Sequence, residues 1–327
     1  MADSSLMLNA RNILVIGRVG MDLSPTPPVT ATEDATEMMV AMGGSSANIA
    51  AGLVKLGCRT ALVTSVSDDA VGWYCLNQLD RYGVDRRHVK RITGEHRTSL
   101  AVYETRVENH QSVIYRNNAA DFQMTVEDID AIDLSPFDAL VTAGTVFAAE
   151  PSRGAAFRAF ERARDAGMPV IFDVDYRPYS WPSAEVAADV LSRAGAMADI
   201  IVGNDEEFGF MAGAYDQGLG KARALANENA AIVVYKMGHK GAVTFAGEAE
   251  ISTGIFPVEA LKPTGAGDSF MAGFLAGLAE GRDMKDAILR GSACASIVVS
   301  KPGCAPAMPD TATLEAFLKT HPGPTET

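Results

Sequence analysis

Short apolar runs rich in β-branched residues alternate with helix-periodic stretches along most of the chain. The runs predict buried strands, and they lie at residues 13–16, 61–64, 139–142, 170–174, 200–202, 232–235 and 242–245. Apolar residues recur at helical spacing over residues 46–56, 71–82, 152–166, 184–198 and 221–227. This order predicts βαβ units, and therefore an α/β fold with a doubly wound, largely parallel sheet and helices on both faces. Ligands of such sheets bind beyond the carboxyl ends of the strands.

Two segments depart from this alternation. Residues 20–42 contain several prolines and show no helical period, whereas residues 97–117 alternate apolar and polar positions around a polar tip at 108–110. The second pattern predicts a β-hairpin. We expect the two segments to form a small β sheet that stands off the main body as a lid, within a single domain that spans residues 1–327.

The composition is that of an acidic globular protein. Hydrophobic residues make up 47% of the chain, and the formal net charge is −13, which argues against a nucleic-acid partner. No apolar stretch is long enough to span a membrane, and residues 1–12 lack the basic and then apolar pattern of a signal peptide. The four cysteines have no metal-type spacing. We expect buried, reduced thiols in a cytoplasmic protein with no membrane partner.

The most informative local pattern is Lys-Pro-Thr-Gly-Ala-Gly-Asp-Ser-Phe at residues 262–270. Apolar residues at 255–261 predict a strand before it, and helical spacing predicts a helix after it. Gly265, Gly267 and Asp268 then lie where the helix begins. The free N–H groups and the positive dipole end of a helix suit a phosphate, and Asp268 can accept a proton from a hydroxyl group. The pattern predicts phosphoryl transfer to an alcohol.

Taken alone, this motif is also compatible with a tight turn that carries an acidic residue in the first helical turn. Two other phosphate-binding patterns fail on spacing. A dinucleotide-binding fingerprint needs a third glycine where Phe270 stands, and a P-loop needs a Gly-Lys-Ser/Thr run that is absent here.

Three further motifs occur in order along the chain. They are Gly-Gly-Ser-Ser-Ala-Asn-Ile-Ala at 43–50, Asn-Asp-Glu-Glu at 204–207 and Lys-Met-Gly-His-Lys-Gly at 236–241. Together with residues 264–268, they resemble the signatures of ribokinase-like, PfkB-type carbohydrate kinases over residues 12–320. The resemblance implies a ribokinase-like fold with a small β lid, ATP as co-substrate and Mg²⁺ as cofactor.

The resemblance also implies roles for individual residues. Substrate binding is implied for Asp22, Gly43, Gly44 and Asn48. Nucleotide binding is implied for Asn204, Lys236 (where a threonine is more usual), Gly238, Gly241, Gly265 and Gly267. Contact with Mg²⁺ through water is implied for Glu207. Catalysis is implied for Asp268 as the base and for Gly265, Ala266 and Gly267 as the anion hole. Simpler roles remain open: a loop aspartate at Asp22, a solvated helix start at 205–207, and a hairpin turn at Gly238 and Gly241.

Two arginines point to an acidic substrate. Arg116 follows the predicted hairpin, and Arg177 follows the strand at 170–174. Guanidinium groups bind carboxylates bidentately, so we expect both to contact a sugar acid. The alternative is that they are exposed, or pair with Asp121 and Asp175. Within the family, these segments resemble the members that phosphorylate the C6 hydroxyl of 5-dehydro-2-deoxy-D-gluconate in myo-inositol catabolism. Kinases of 2-dehydro-3-deoxygluconate and of fructose are the alternatives.

Lys262 is a departure from the family pattern. Many ribokinase-like enzymes have an aspartate at this position, where it helps to bind a monovalent cation, and the resemblance therefore suggests Lys262 as a built-in cation. An exposed lysine at a strand end is the alternative. The lid edge favours a homodimer. Functions of other classes, a non-catalytic sugar-binding regulator and a nucleotide-binding dehydrogenase, are disfavoured by the intact motif at 264–268 and by the missing fingerprint.

Overall fold

The computed structural model describes residues 10–106 and 108–325. The strands in these residues are β1 (Asn12–Ile16), β2 (Gly20–Thr26), β3 (Glu37–Gly43), β4 (Arg59–Ser67), β5 (Asp85–Ile92), β6 (Leu100–Tyr103), β7 (Ser112–Tyr115), β8 (Ala139–Ala143), β9 (Val170–Asp173), β10 (Ile200–Asn204), β11 (Ile232–Lys236), β12 (Ala242–Ala246) and β13 (Ala249–Thr253). The α-helices are α1 (Ser45–Lys55), α2 (Ala70–Tyr82), α3 (Val126–Asp130), α4 (Ser152–Asp165), α5 (Ala184–Gly195), α6 (Asp205–Ala212), α7 (Gly218–Glu228), α8 (Ala266–Ala279), α9 (Met284–Val299) and α10 (Thr311–Thr320).

A nine-stranded sheet forms the centre of the described structure. Its order is β13-β12-β11-β10-β9-β8-β1-β4-β5. All neighbours from β11 to β5 pair in parallel, and β12 and β13 add an antiparallel edge. The strand order runs outward from β1 in both directions, so the predicted doubly wound, largely parallel sheet is confirmed.

Helices cover both faces of this sheet, because alternate strand residues point to opposite sides. Ile13 and Val15 of β1 enter a core formed with α1, α2, α8, α9 and α10. Leu14 and Ile16 enter a second core formed with α3, α4, α5, α6 and α7. The sheet is therefore buried on both faces, as expected of parallel strands. No helix in residues 10–106 and 108–325 is both long enough and apolar enough to cross a membrane.

The second sheet has the order β3-β2-β6-β7. β6 and β7 pair antiparallel, which confirms the predicted hairpin, and β2 joins them through a parallel pairing with β6. Val107, near the hairpin tip, lies outside the described residues, as does most of the N-terminal segment 1–12 on which the signal-peptide prediction rests. One face of this small sheet carries buried Asp22, Ser24 and Tyr103, and the other is largely exposed.

The strand predicted at residues 255–261 is wrong. This segment has no ladder partner, and β13 ends before it at Thr253. Its polar groups bond to α9 instead: Ser296 Oγ donates to the Phe256 carbonyl, and the N–H groups of Leu261 and Lys262 both donate to the Val299 carbonyl. Phe256 is buried in the core beside α9, and the segment packs against a helix rather than in a sheet.

Candidate active site

Helix α8 begins at the glycine motif, as the sequence predicts. Gly265 caps it with φ of 85°, a left-handed conformation that favours glycine, and a Cβ there would lie 2.9 Å from Cys304 Sγ. The N–H groups of Ala266, Gly267 and Asp268 are the first three of the helix, so they have no acceptor within it. Within the described residues, no side chain caps this end. The turn therefore presents free donors and a positive dipole end to the cleft.

Asp268 lies in the first turn of α8, at the surface of this cleft. Burial raises the pKa of its carboxyl group to about 6, the nearby Asp175 charge adds to the shift, and the hydrogen bond from Asn48 opposes it. A carboxylate with this pKa is charged at neutral pH and can accept a proton from a hydroxyl group.

The residues of the 43–50 motif lie beside Asp268. Asn48 in α1 donates from Nδ2 to Asp268 Oδ2 over 2.8 Å, and its own Oδ1 is buried without a recorded partner among the described residues. Gly44 caps α1 with φ of 97°. A Cβ at Gly43 would lie only 1.8 Å from Asp22 Oδ1, so glycine is what lets the Asp22 carboxylate fit there.

Asp22 in β2 faces the same space from the small sheet. It is 5% exposed, and its Oδ1 has no recorded partner among the described residues. Burial raises the pKa of its carboxyl group to about 6, against the charges of Arg18 and Lys262. A buried acceptor without a partner is costly unless a ligand supplies a donor. Asp22 is therefore not an exposed loop aspartate. Its buried oxygen, partnerless among the described residues, suits a hydrogen bond from a substrate hydroxyl.

Asn204 and Glu207 form a capping box at the start of α6. Asn204 Oδ1 accepts from the Glu207 N–H, and Glu207 Oε2 accepts from the Asn204 N–H, each over 2.8 Å. Glu207 is 6% exposed, which excludes the solvated helix start for this residue. Burial raises the pKa of the Glu207 carboxyl group, against the charges of Lys236 and Arg177.

Lys236 ends β11 and reaches the start of α8. Its Nζ lies 3.5 Å from where a Cβ of Gly267 would stand, and 5.5 Å from the centre of the Phe270 ring. It forms no ion pair within 4.0 Å among the described residues. Gly238 and Gly241 shape the turn that follows, with φ of 57° and 86°. A Cβ at Gly241 would lie 1.9 Å from the Thr253 carbonyl oxygen. Both glycines therefore have the hairpin-turn role, which leaves the nucleotide role open.

Two carboxylates lie at the end of β9 beside Arg177. Asp175 was named from the sequence only as a pairing partner of Arg177, and Asp173 was missed. Asp173 ends β9 in the interior, where burial raises the pKa of its carboxyl group well above the usual value, against the Lys236 charge. Asp175 has a backbone φ of 36°, which residues other than glycine rarely adopt. Its Oδ2 accepts a hydrogen bond from Ser45 Oγ over 2.6 Å. The Asp-Val-Asp spacing at the carboxyl end of a predicted strand was the available signal.

The two arginines have different environments. Arg116 is buried, pairs with Asp121 through Nε and Nη2, and donates from Nη1 to the Thr145 carbonyl over 2.9 Å. The expectation that Arg116 contacts a substrate carboxylate is therefore corrected, because its guanidinium edges are already occupied. Arg177 pairs with Asp175 over 2.8 Å, the pairing named as the alternative, and donates from Nη1 to the Tyr176 carbonyl over 3.0 Å. Its side chain is 41% exposed.

Lys262 is fully buried, which excludes the exposed lysine. Its Nζ donates to the Thr264 carbonyl over 2.5 Å and to the Val298 carbonyl over 3.2 Å. These carbonyls belong to the loop before α8 and to the last turn of α9. A unit positive charge is thus held directly beneath the turn at Gly265.

The donor chemistry of the site fits Mg²⁺ held mainly by phosphates and water. Mg²⁺ prefers oxygen ligands and keeps several waters, and the carboxylates of Glu207 and Asp173 supply oxygens at this edge of the sheet. In the part of the chain that the structure describes, no group of three or more His, Cys, Asp or Glu side chains could hold a metal by itself.

Comparisons with known proteins agree with this architecture. The sequence profile described as "pfkB family carbohydrate kinase" matches residues 10–311. The 5-dehydro-2-deoxygluconokinase of Geobacillus kaustophilus is 36% identical over 315 residues, which cover 95% of this chain and 94% of that protein. The 5-dehydro-2-deoxygluconokinase of Photobacterium profundum is 35% identical over 313 residues, covering 94% of this chain and 95% of that protein.

Solved structures show the same fold. The PfkB protein from Polaromonas sp. JS666 superposes with a TM-score of 0.82 at 27% identity, covering 94% of this chain and all of that one. A double mutant of Vibrio cholerae fructokinase, solved with fructose, ADP and a potassium ion, superposes with a TM-score of 0.83 at 25% identity. The superposition covers 94% of this chain and 98% of the fructokinase chain.

Proposed function

The chain belongs to the PfkB family of carbohydrate kinases, which are ATP-dependent phosphotransferases, and we propose that its acceptor is 5-dehydro-2-deoxy-D-gluconate, phosphorylated at the C6 hydroxyl. One observation carries the choice of substrate. Relatives that bear the name 5-dehydro-2-deoxygluconokinase match at 36% identity along almost the whole chain. Arg177, which is 41% exposed in the loop that follows β9, supports an acidic acceptor.

The proposed chemistry is direct transfer of the γ-phosphoryl group. Asp268 accepts the proton of the attacking hydroxyl, which Asp22 and Asn48 orient through the buried oxygens that lack partners. The N–H groups of Ala266, Gly267 and Asp268 stabilise the charge that develops on the phosphoryl oxygens. Lys236, whose ammonium group lies beside this turn, adds a positive charge on the nucleotide side.

The nucleotide is proposed to lie against Gly238 and Gly241, beyond the ends of β10 and β11. When bound with ATP, Mg²⁺ would supply positive charge that offsets the charge of the phosphates. Glu207 and Asn204 would hold its waters, and Asp173 would lie beneath them in the interior. Closure of the small sheet over the cleft would exclude water and limit ATP hydrolysis.

Lys262 is proposed to act as a built-in cation. Its ammonium group donates to the carbonyls of Thr264 and Val298 and keeps a positive charge under the anion-binding turn. A potassium ion is present in the fructokinase structure of Vibrio cholerae. Lys262 would make such an ion unnecessary here, because a compact ammonium group provides the same unit charge.

A second copy of the chain is the proposed partner of the small sheet. Val40, Leu23, Val102 and Val113 are in register across its four strands on the outer face. Val40 is 46% exposed and Val113 is 45% exposed, with Tyr115 beside them at 61%. A contiguous apolar row of this kind favours association. We place the enzyme in the cytoplasm, because its four cysteines are free and buried.

A coupled ADP-release assay over a substrate panel tests the proposed function. The panel contains 5-dehydro-2-deoxy-D-gluconate, 2-dehydro-3-deoxy-D-gluconate, fructose and ribose at equal concentrations. We expect the highest kcat/KM with 5-dehydro-2-deoxy-D-gluconate. Faster turnover of fructose or ribose would overturn the acidic acceptor, and faster turnover of 2-dehydro-3-deoxy-D-gluconate would retain the acidic class but replace the substrate.

A further inference from the structure

Arg18 is a buried cation without a carboxylate partner. It is 6% exposed, and its one recorded hydrogen bond runs from Nη1 to the neutral Ser99 Oγ over 3.0 Å. Among the described residues, no Asp or Glu oxygen lies within 4.0 Å of it. A charge removed from water is costly unless it is paired.

The other buried basic side chains of the described structure are all compensated. Arg290 pairs with Glu280 and Glu315, Arg116 pairs with Asp121, and Lys262 donates to two backbone carbonyls. Arg18 is therefore the exception, and its Nε and Nη2 donors have no recorded protein acceptor in these residues. An anionic ligand would complete its environment.

The position of Arg18 is set by its backbone and by glycine. It follows β1 at the carboxyl edge of the central sheet, and its carbonyl accepts from the Ala47 N–H at the start of α1. Its side chain crosses the beginning of β2, where a Cβ at Gly20 would lie 2.9 Å from Nη1. The guanidinium group is thereby held at the junction of the main body and the small sheet.

Arg18 lies against the 43–50 motif, because a Cβ at Gly44 would lie 2.4 Å from the Arg18 carbonyl oxygen. Asp22 lies two strand positions beyond Gly20. Burial raises the pKa of its carboxyl group, and the nearby Arg18 charge opposes this rise. Burial raises the pKa of the Tyr179 phenol, and the charges of Arg177 and Arg18 oppose it. Arg18 and Asp22 therefore lie near each other, beside the 43–50 motif.

We propose that Arg18 binds the carboxylate of the acceptor and is the residue that makes the site prefer a sugar acid over a neutral sugar. This inference rests on the proposed function. Arg116 is committed to Asp121, and Arg177 shares its charge with Asp175. Arg18 keeps a planar set of donors in a site of low exposure, where charge-assisted hydrogen bonds are strongest.

The test compares two acceptors that differ only in charge: 5-dehydro-2-deoxy-D-gluconate and its uncharged amide. Steady-state kinetics are measured for the wild type and for Arg18→Gln. Arg223→Gln is the matched control, because Arg223 is 52% exposed and pairs with Glu250 at the surface. We expect Arg18→Gln to lose about 10- to 100-fold in kcat/KM for the acid, mainly through KM. The amide should change by less than about twofold, the scale of a surface substitution, and the control should behave as the wild type.

Each outcome separates this inference from the proposed function. A wild type that phosphorylates neither acid nor amide, but does phosphorylate neutral sugars, overturns both. A wild type that prefers the acid while Arg18→Gln keeps the same preference overturns the Arg18 role alone. If circular dichroism shows that Arg18→Gln is unfolded, Arg18→Lys replaces it, because it keeps the charge and loses the planar fork. An equal change for acid and amide in that variant would also overturn the role.

Discussion

The side-chain amide of Asn48 donates a hydrogen bond of 2.8 Å to Oδ2 of Asp268. These residues are 220 positions apart, and they belong to the first and last glycine motifs of the chain. The bond joins the start of α1 to the start of α8 and holds the carboxylate toward the cleft. A donor to the charged form lowers the pKa of a carboxyl group. Asn48 therefore limits the rise that burial imposes on Asp268.

Replacing Asp268 with asparagine should abolish most of the activity while leaving the fold intact. The substitution keeps the shape and removes the proton acceptor, so we expect kcat to fall about 10²- to 10⁴-fold, the range typical of a general base. ADP release measures kcat, and nucleotide binding should be unchanged. Asp286→Asn is the control, because Asp286 occupies the first turn of α9 outside the cleft. Near wild-type kcat in Asp268→Asn would contradict the assignment.

The pH dependence of kcat/KM should have an acidic limb near the pKa of Asp268. The base must be charged, and its pKa is about 6, so activity should decline as the pH falls through that value. Asn48→Ala removes a hydrogen bond that lowers the pKa, so the limb should move to higher pH. Asp22 titrates in the same range, and Asp22→Asn therefore serves as the control. An unshifted limb in Asn48→Ala would show that another group controls it.

The sequence predicted the inner strands of the large sheet because buried parallel strands are continuous apolar runs. It missed the two edge strands, β5 and β13, whose sequences are largely polar. The strands that flank β1 could be predicted from local sequence alone. The hairpin of β6 and β7 could be predicted because its apolar and polar positions alternate. The segment at 255–261 failed because apolar content alone does not say whether a strand or a helix surface will cover it.

Side-chain partners in the site depended on distant residues, and this limited the prediction. Arg116 was assigned to the substrate, with pairing to Asp121 as the alternative, because spacing alone does not show which carboxylate a guanidinium group meets. Arg18 was not assigned any role, since its isolation from carboxylates is a property of the packed structure. Glycines and Asp268 were accessible from sequence because a turn into a helix is a local event.

The buried pair of Arg116 and Asp121 should contribute to stability rather than to substrate selection. Their side chains are 5% and 3% exposed. Removing one partner leaves the other charge buried and unpaired, so Arg116→Met should lower the free energy of unfolding by about 3–5 kcal/mol. Denaturant unfolding measures this loss. The ratio of kcat/KM for the acid and its amide should stay at the wild-type value, and a selective loss for the acid would return Arg116 to the substrate site.

A charge on the outer face of the small sheet should separate the proposed dimer. Val113 lies in the apolar row with Val102 and is 45% exposed, so Val113→Lys should cost little in the isolated subunit and prevent burial of the row. Sedimentation velocity should show the mass of one subunit for this variant and of two for the wild type. Val126→Lys, at an exposed position at the start of α3, is the control. A dimeric Val113→Lys would place the interface elsewhere.

Lys262 should make the enzyme independent of potassium. The wild type assayed in Tris buffer free of Na⁺ and K⁺ should keep its full rate, because the ammonium group already lies against the Thr264 and Val298 carbonyls. Lys262→Asp removes that charge and supplies a cation ligand, so its kcat should fall about tenfold or more and recover in part when K⁺ is added. Lys301→Asp, at an exposed position near the same loop, controls for net charge. Strong activation of the wild type by K⁺ would contradict the built-in cation. Unchanged kinetics in a folded Lys262→Asp variant, with folding confirmed by thermal melting, would leave Lys262 without a part in catalysis.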